Sequence, residues 1–275
     1  MKGFLVQSPL GRLEMLAESK TAIEPAVALC LEHAQAASRF AGPVLFQGHD
    51  AWLKADVLSG RARLRHAALR LTLNTPPPRV REAFNLAWLD ARLFQVPLPL
   101  AAGWFGGAIP SWQFLVMQRV DARPLGEVLR AGGKLERTAL LLELARETAR
   151  MHALHFVHRD LFWRNVLVYP EPTSRRLVFI DAWRGGEWLQ WRGAGYDLAC
   201  LFLEGPSFLS KDEIRSWLAN YIEERQALDK PASERSLWLS ANAARRSLLA
   251  RTLREPGRWR ASEPLVQEFD FAAAR

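Results

Sequence analysis

The stretch HRDLFWRN, His158 to Asn165, sets a carboxylate and a carboxamide, Asp160 and Asn165, five residues apart in a polar and aromatic segment. A loop carboxylate can accept a hydroxyl proton, and an amide oxygen can hold a hard divalent cation without adding negative charge. Phosphoryl transfer is the chemistry that needs both at one phosphate. Such chemistry asks for positioning more than for covalent help, so two further parts are required: a second oxygen ligand for the cation and an ammonium against the phosphates of ATP. Asp181, after the apolar run RLVFI, is the candidate second ligand, and a hairpin from VLVYP to RLVFID would bring it to Asn165. Lys54, closing AWLK, is the candidate ammonium, and Glu82 is the carboxylate that would hold it in place. Singly, each has an ordinary alternative. A lone carboxylate such as Asp181 is usually a turn or cap residue, Lys54 alone is most often a surface lysine with its stem on apolar surface, and Glu82 alone a charge favoured near a helix N-terminus. Their order along the chain favours the chemical reading.

Those residues need elements to carry them. VLFQGHDAWLKADVL reads as two short strands joined at Gly48-His49-Asp50, which puts Lys54 on the second strand. TPPPRVREAFNLAWLDARLF predicts a helix announced by Thr75 and the prolines, with Glu82 in its first turns and Phe84, Leu86, Leu89 and Leu93 loosely periodic. SWQFLVMQRV adds a buried strand. ARPLGEVLRAGGK then gives a short helix with a Gly-Gly stop. After it, LERTALLLELARETARMHALHF predicts a long helix with Leu140, Leu141, Leu144, Thr148 and Met151 on one side. The chain therefore reads as a strand-rich half with one main helix over residues 1–118, and a larger, mostly helical half over 119–275 that holds HRDLFWRN in a loop.

Composition narrows the partners. The 275 residues are 49% hydrophobic and 24% charged, enough for a sizeable core, and no apolar run approaches the ~20 residues of a bilayer span. The N-terminus MKGFLVQSPLGRLEML lacks the apolar stretch of a signal peptide, so the chain is expected to be cytoplasmic. Cys30 and Cys200 sit among Ala and Leu and read as buried reduced thiols, and no Cys/His metal cluster is visible. A net charge of +8 favours an anionic partner without choosing among them. No nucleic-acid reader motif appears, and the basic run AARRSLLARTLREPGRWR reads as a solvated helix face. Of the eleven tryptophans, Trp163, Trp183, Trp188 and Trp191 lie around the proposed site in sequence. Core packing is the ordinary role of such rings, and Trp163 and Trp183 are the two that could stack on a sugar. Arg164 could face an acceptor or simply solvent.

Lysine on a strand, glutamate on the next helix, a long helix, HRDxxxxN, a strand and an aspartate together resemble the protein-kinase-like superfamily, over nearly all of the chain from about Phe40. Three stretches are most similar to the bacterial lipopolysaccharide core kinases, which phosphorylate Kdo or heptose. These are GHDAWLKADVLSGRARLRHAALRL, FIDAWRGG with Arg184 three after the aspartate, and GYDLACLFLEGPSFLSKDEIRSWLANYI. The resemblance implies a bilobal α+β kinase-like fold, ATP and Mg2+ as cofactors, and a sugar hydroxyl of an anionic glycolipid as acceptor. It also implies peripheral contact with the inner face of the inner membrane and no obligate protein partner. Asp160 would be the base, Lys54 and Glu82 the nucleotide-binding pair, and Asn165 and Asp181 the metal ligands. Asp197 would hydrogen-bond the catalytic-loop backbone, and His158 would pack and orient that loop. Arg164, Trp163, Trp183 and Arg184 are its acceptor-contact candidates.

The departures from the pattern are specific. No GxGxxG precedes Lys54, Ala182-Trp183 stands where Phe-Gly would follow the metal aspartate, and about fifteen residues separate Asp181 from Asp197. A long regulated activation loop is therefore not expected. An aminoglycoside- or choline-type phosphotransferase, an atypical protein kinase and a binding module with a decayed nucleotide site are the competing readings. The basic charge argues against cationic acceptors, and retention of all five chemical residues argues against decay.

Overall fold

The computed structural model describes residues 2–8, 11–17, 20–36, 39–106, 111–170, 176–187, 193–204 and 209–254. The chain divides into two units, Met1–Asp121 and Ala122–Arg275.

The first unit is built on an antiparallel sheet of six strands: β1 (Lys2–Ser8), β2 (Gly11–Ala17), β3 (Arg39–Phe46), β4 (His49–Val57), β5 (Pro99–Phe105) and β6 (Trp112–Gln118), in the order β1-β2-β5-β6-β4-β3. Side chains alternate between the faces of a strand, and here each face has its own helix. On β4, Ala51, Leu53 and Ala55 join Trp112, Phe114 and Val116 of β6 in a core with Ala26 and Cys30 of α1 (Ile23–Ala36). The opposite face, with Lys54 of β4 and Gln113 of β6, meets α3 (Pro78–Asp90). The sheet is thus covered on both sides, and β4 and β6 are apolar through most of their length. The β1–β2 hairpin and α1 lie ahead of every motif named above and were not anticipated from sequence.

Two local details differ from expectation. Phe46 pairs with His49, so the hairpin turn is Gln47-Gly48, one residue earlier than expected, with His49 and Asp50 already in β4. Both turn residues have positive φ, 52° and 80°, the two-residue geometry that glycine supplies without steric cost. On α3 the buried stripe is Val80, Ala83, Leu86 and Leu89, while Phe84 and Leu93 are 49% and 69% exposed. Phe84 follows Ala83 by one position and so points about 100° off that stripe, and Leu93 lies past the helix end in a left-handed conformation. Pro78 opens α3 at the position where its missing N–H costs nothing.

An additional helix, α2 (Gly60–Leu73), fills the basic stretch between β4 and α3. Its inner side carries His66 and Ala67. Burial, with Arg65 and Arg81 nearby, lowers the His66 pKa to about 4.

The second unit contains β7 (Arg123–Pro124), α4 (Leu125–Ala131), α5 (Lys134–Ala153), β8 (Phe156–Val157), β9 (Val166–Val168), β10 (Leu177–Phe179), β11 (Gly186–Glu187), α6 (Gly193–Glu204), α7 (Lys211–Ala227) and α8 (Glu234–Arg254). The buried side of α5 includes Leu140, Leu141, Leu144, Thr148 and Met151, as its periodicity predicts. A full capping box, Ser210 with Glu213, starts α7. Gly195 lets α6 approach α8 closely, since a Cβ there would fall 2.1 Å from Ser240 Oγ. Cys30 and Cys200 are buried free thiols. Among the described residues no helix is long and apolar enough to cross a membrane. Much of the C-terminal basic run belongs to α8, and its last residues, 255–260, lie outside the described set with Trp188 and Trp191.

Candidate active site

In the first unit, Lys54 and Glu82 meet. Lys54 Nζ donates to Glu82 Oε1 at 2.6 Å, and Glu82 is fully buried. The second carboxylate oxygen accepts from Arg79 Nη1 at 2.9 Å, and Arg79 Nε donates to Asp56 Oδ2 at 2.6 Å. Arg39 adds a looser contact to Asp56 from β3, 3.5 Å away and largely exposed. The result is a ladder of alternating charge, Arg39–Asp56–Arg79–Glu82–Lys54. Strand and helix periods account for its middle: Lys54 and Asp56 are two apart on one face of β4, and Arg79 and Glu82 three apart on one side of α3. Arg79 and Asp56 were missed in the sequence, where this pair of spacings was the available signal.

In the second unit, the loop between β8 and β9 is fixed by its own backbone and by Asp197. The Asp160 carbonyl accepts from Phe162 N at 2.8 Å and from Asn165 Nδ2 at 2.7 Å. That second bond turns the buried Asn165 amide so that its Oδ1 is the group left for a cation. The β9–β10 hairpin forms with Phe179 opposite Val166, and Ile180 N donates to the Asn165 carbonyl at 3.0 Å, so Asp181 follows a residue bonded to Asn165. Asp181 is left-handed, φ 61°, at the N-cap of a short 3-10 turn over Ala182–Arg184. Burial raises the Asp160 pKa above its ordinary value. His158, Arg164 and Arg184 oppose that rise, and the charge on Asp181 adds to it. The Asp181 carboxylate and the Asn165 amide oxygen are hard donors of the kind Mg2+ takes, and this pair fits such an ion.

Asp197, fully buried in α6, accepts from His158 N (2.7 Å) and Arg159 N (2.6 Å). Arg159 is left-handed at φ 59°, a conformation costing a branched-free L-residue about 1 kcal/mol, and the Asp197 contact holds it there. Its guanidinium lies over the Tyr196 ring, 5.3 Å from the centroid. His158 is buried, with Nε2 donating to the Ile180 carbonyl at 3.0 Å.

Behind Asp197 stands a buried series that sequence reading missed. His152 Nε2 is 3.1 Å from Asp197 Oδ2, His152 Nδ1 is 2.8 Å from the Tyr221 hydroxyl, and Arg225 Nη1 donates to that hydroxyl at 3.3 Å. An ionised carboxylate only accepts and a guanidinium only donates, so one polarity satisfies all three: Tyr221 O–H to Nδ1, and Nε2–H to Asp197. Burial pushes the Tyr221 pKa up to about 12, which keeps the hydroxyl a donor. Nothing in the spacing of residues on α5, α6 and α7 announces such a series. Tyr221→Phe leaves His152 with an unmet buried nitrogen and should cost about 1–3 kcal/mol by denaturant melting. A cycle with His152→Leu should be non-additive by about 1 kcal/mol, whereas additive losses would mean the two side chains act separately.

Among the acceptor-contact candidates, Trp163 needs correction. It is 2% exposed, and its indole N–H donates to the Leu201 carbonyl at 2.5 Å, so the ring is spent on packing the loop against α6. Trp183 and Arg184 remain partly exposed, with the guanidinium 4.6 Å from the ring centroid, and exposed Arg164 lies 4.2 Å over Phe162.

Residues 51–204 match the model of the lipopolysaccharide kinase (Kdo/WaaP) family. The structure of WaaP in complex with acyl carrier protein aligns with a TM-score of 0.57 at 18% identity, covering 85% of this chain and 98% of that one. A 2.2 Å crystal structure of WbdD aligns at 0.45 and 17%, covering 75% and 48%. A structure of the bifunctional kinase-methyltransferase WbdD aligns at 0.43 and 18%, covering 75% and 47%. Curated protein sequences give no significant match.

Proposed function

We propose, because this chain belongs to the lipopolysaccharide kinase (Kdo/WaaP) family, that it transfers the γ-phosphate of ATP to a hydroxyl of a Kdo or heptose residue in the lipopolysaccharide inner core. The observation that carries this reading is that Lys54, Glu82, Asp160, Asn165, Asp181 and Asp197 all fall within the matched span, with the two hydrogen-bonded groupings described above around them.

The roles follow from chemistry. Lys54, held by Glu82, sets its ammonium against the nucleotide phosphates. Asp160 takes the proton of the acceptor hydroxyl as that oxygen bonds the γ-phosphorus and the bond to ADP breaks. Asn165 and Asp181 would hold Mg2+, which when bound neutralises charge on the phosphate oxygens. Asp197 keeps the backbone of His158 and Arg159 in place, so that the carboxylate two residues on is presented in a fixed direction. Trp183, Arg184 and Arg164 are the proposed contacts to the sugar and its anionic groups. Because the acceptor is a glycolipid, the enzyme works at the inner face of the inner membrane. WaaP is solved with acyl carrier protein, and that carrier is proposed as a partner of this chain beside the expectation of no obligate protein partner.

An acceptor panel tests the reading. Purified protein with γ-labelled ATP and Mg2+ should label dephosphorylated core lipopolysaccharide, and mapping the labelled sugar separates Kdo from heptose. Acyl carrier protein should co-elute with the enzyme. Label on an aminoglycoside or choline and none on the glycolipid would replace this reading with a small-molecule phosphotransferase, and transfer to nothing would leave a binding module.

A further inference from the structure

The helix α2, inserted between the strand of Lys54 and the helix of Glu82, has no acidic residue in its sequence GRARLRHAALRLTL. Leu64, Ala68 and Leu71 recur at i, i+4 and i+7, so they form one stripe along its length. Leu64 and Leu71 are 69% and 68% exposed, and Ala68 is exposed with them. At 100° per residue, Arg61 and Arg65 flank the stripe on one side and Arg63 on the other, all three exposed. The opposite side of the helix holds the buried His66, so the apolar stripe faces away from the unit's core.

We propose that this face of α2 docks the protein on an anionic lipid bilayer, with Leu64 and Leu71 dipping into the headgroup region and Arg61, Arg63 and Arg65 meeting lipid phosphates. Charge complementarity selects that occupant: three arginines without an acidic partner among the described residues border two large exposed leucines. This is the composition of an interfacial helix. A protein groove would be expected to seat an aromatic anchor with polar groups of both signs around it, and this face has neither. The choice of a bilayer also rests on the glycolipid acceptor proposed above, and the experiment keeps the two apart.

The full chain is floated with vesicles of phosphatidylethanolamine and phosphatidylglycerol, 7:3, and with vesicles of phosphatidylcholine alone. It should float with the first, less so at raised salt, and remain behind with the second. Each basic residue near such a surface is worth roughly fivefold in partition. The triple variant Arg61→Gln, Arg63→Gln, Arg65→Gln should therefore bind about a hundredfold more weakly. The pair Leu64→Ser, Leu71→Ser should also release the protein, and because all five side chains are exposed, melting temperatures should not move. In the same preparations, transfer to delipidated core oligosaccharide should be unchanged. Equal flotation of the variants and the parent, or no flotation at all, overturns the docking face, as does retention by an acidic protein in place of vesicles. Loss of flotation in the variants, with no transfer by any preparation, keeps the docking face and overturns the kinase reading.

Discussion

Asp160→Asn should, on the role proposed for Asp160, lower the rate of phosphate transfer by about 10²–10⁴-fold and leave nucleotide binding close to that of the parent. The substitution removes a proton acceptor and keeps the shape of the side chain. The loop does not depend on the group removed, because it is the Asp160 backbone carbonyl, not the carboxylate, that accepts from Phe162 N and Asn165 Nδ2. Folding and the grip on His158 and Arg159 by Asp197 therefore persist. The checks are single-turnover transfer to the glycolipid and nucleotide titration on the same protein. A variant that transfers within a few-fold of the parent would show that Asp160 does not take the proton.

Glu82→Gln should destabilise the first unit by about 3–5 kcal/mol, because it removes the buried negative charge that both Lys54 and Arg79 meet. Glu82 is fully buried and serves two cations, at 2.6 and 2.9 Å. Lys54→Met is the instructive partner. It leaves Glu82 with Arg79, so its stability loss should be clearly smaller, while transfer should fall as far as in the glutamate variant. Denaturant melts and transfer rates on both proteins decide this. Equal destabilisation by the two would mean that Arg79 does not support Glu82 as its distance indicates. The outer contact of Arg39 with Asp56 is exposed and should contribute little.

Much of the site was legible because its parts follow chemical rules that leave marks in one dimension. The five-residue interval between Asp160 and Asn165, the apolar strand before Asp181 and the prolines before Glu82 are such marks, and the Lys54–Glu82 pair follows from them. Three things left none. The β1–β2 hairpin and α1 come before any motif, and their sheet neighbour β5 lies some eighty residues later in the chain, so only tertiary pairing reveals them. The His152–Tyr221 contact joins two helices 69 residues apart. The burial of Trp163 depends on α6 packing over it, and an indole ring carries no label saying whether it will meet a carbonyl or a sugar.

The charge ladder has a bearing on control. In many phosphotransferases of this architecture, activity is switched by swinging the glutamate-bearing helix away from the lysine. Here such a swing would part Glu82 from Lys54 and Arg79 from Asp56 at once, while the Arg79–Glu82 pair would travel with the helix. The helix has no cheap off position. Output should then track the supply of acceptor and the amount of enzyme, as a ratchet-free assembly step does, and not a signal arriving at the protein itself.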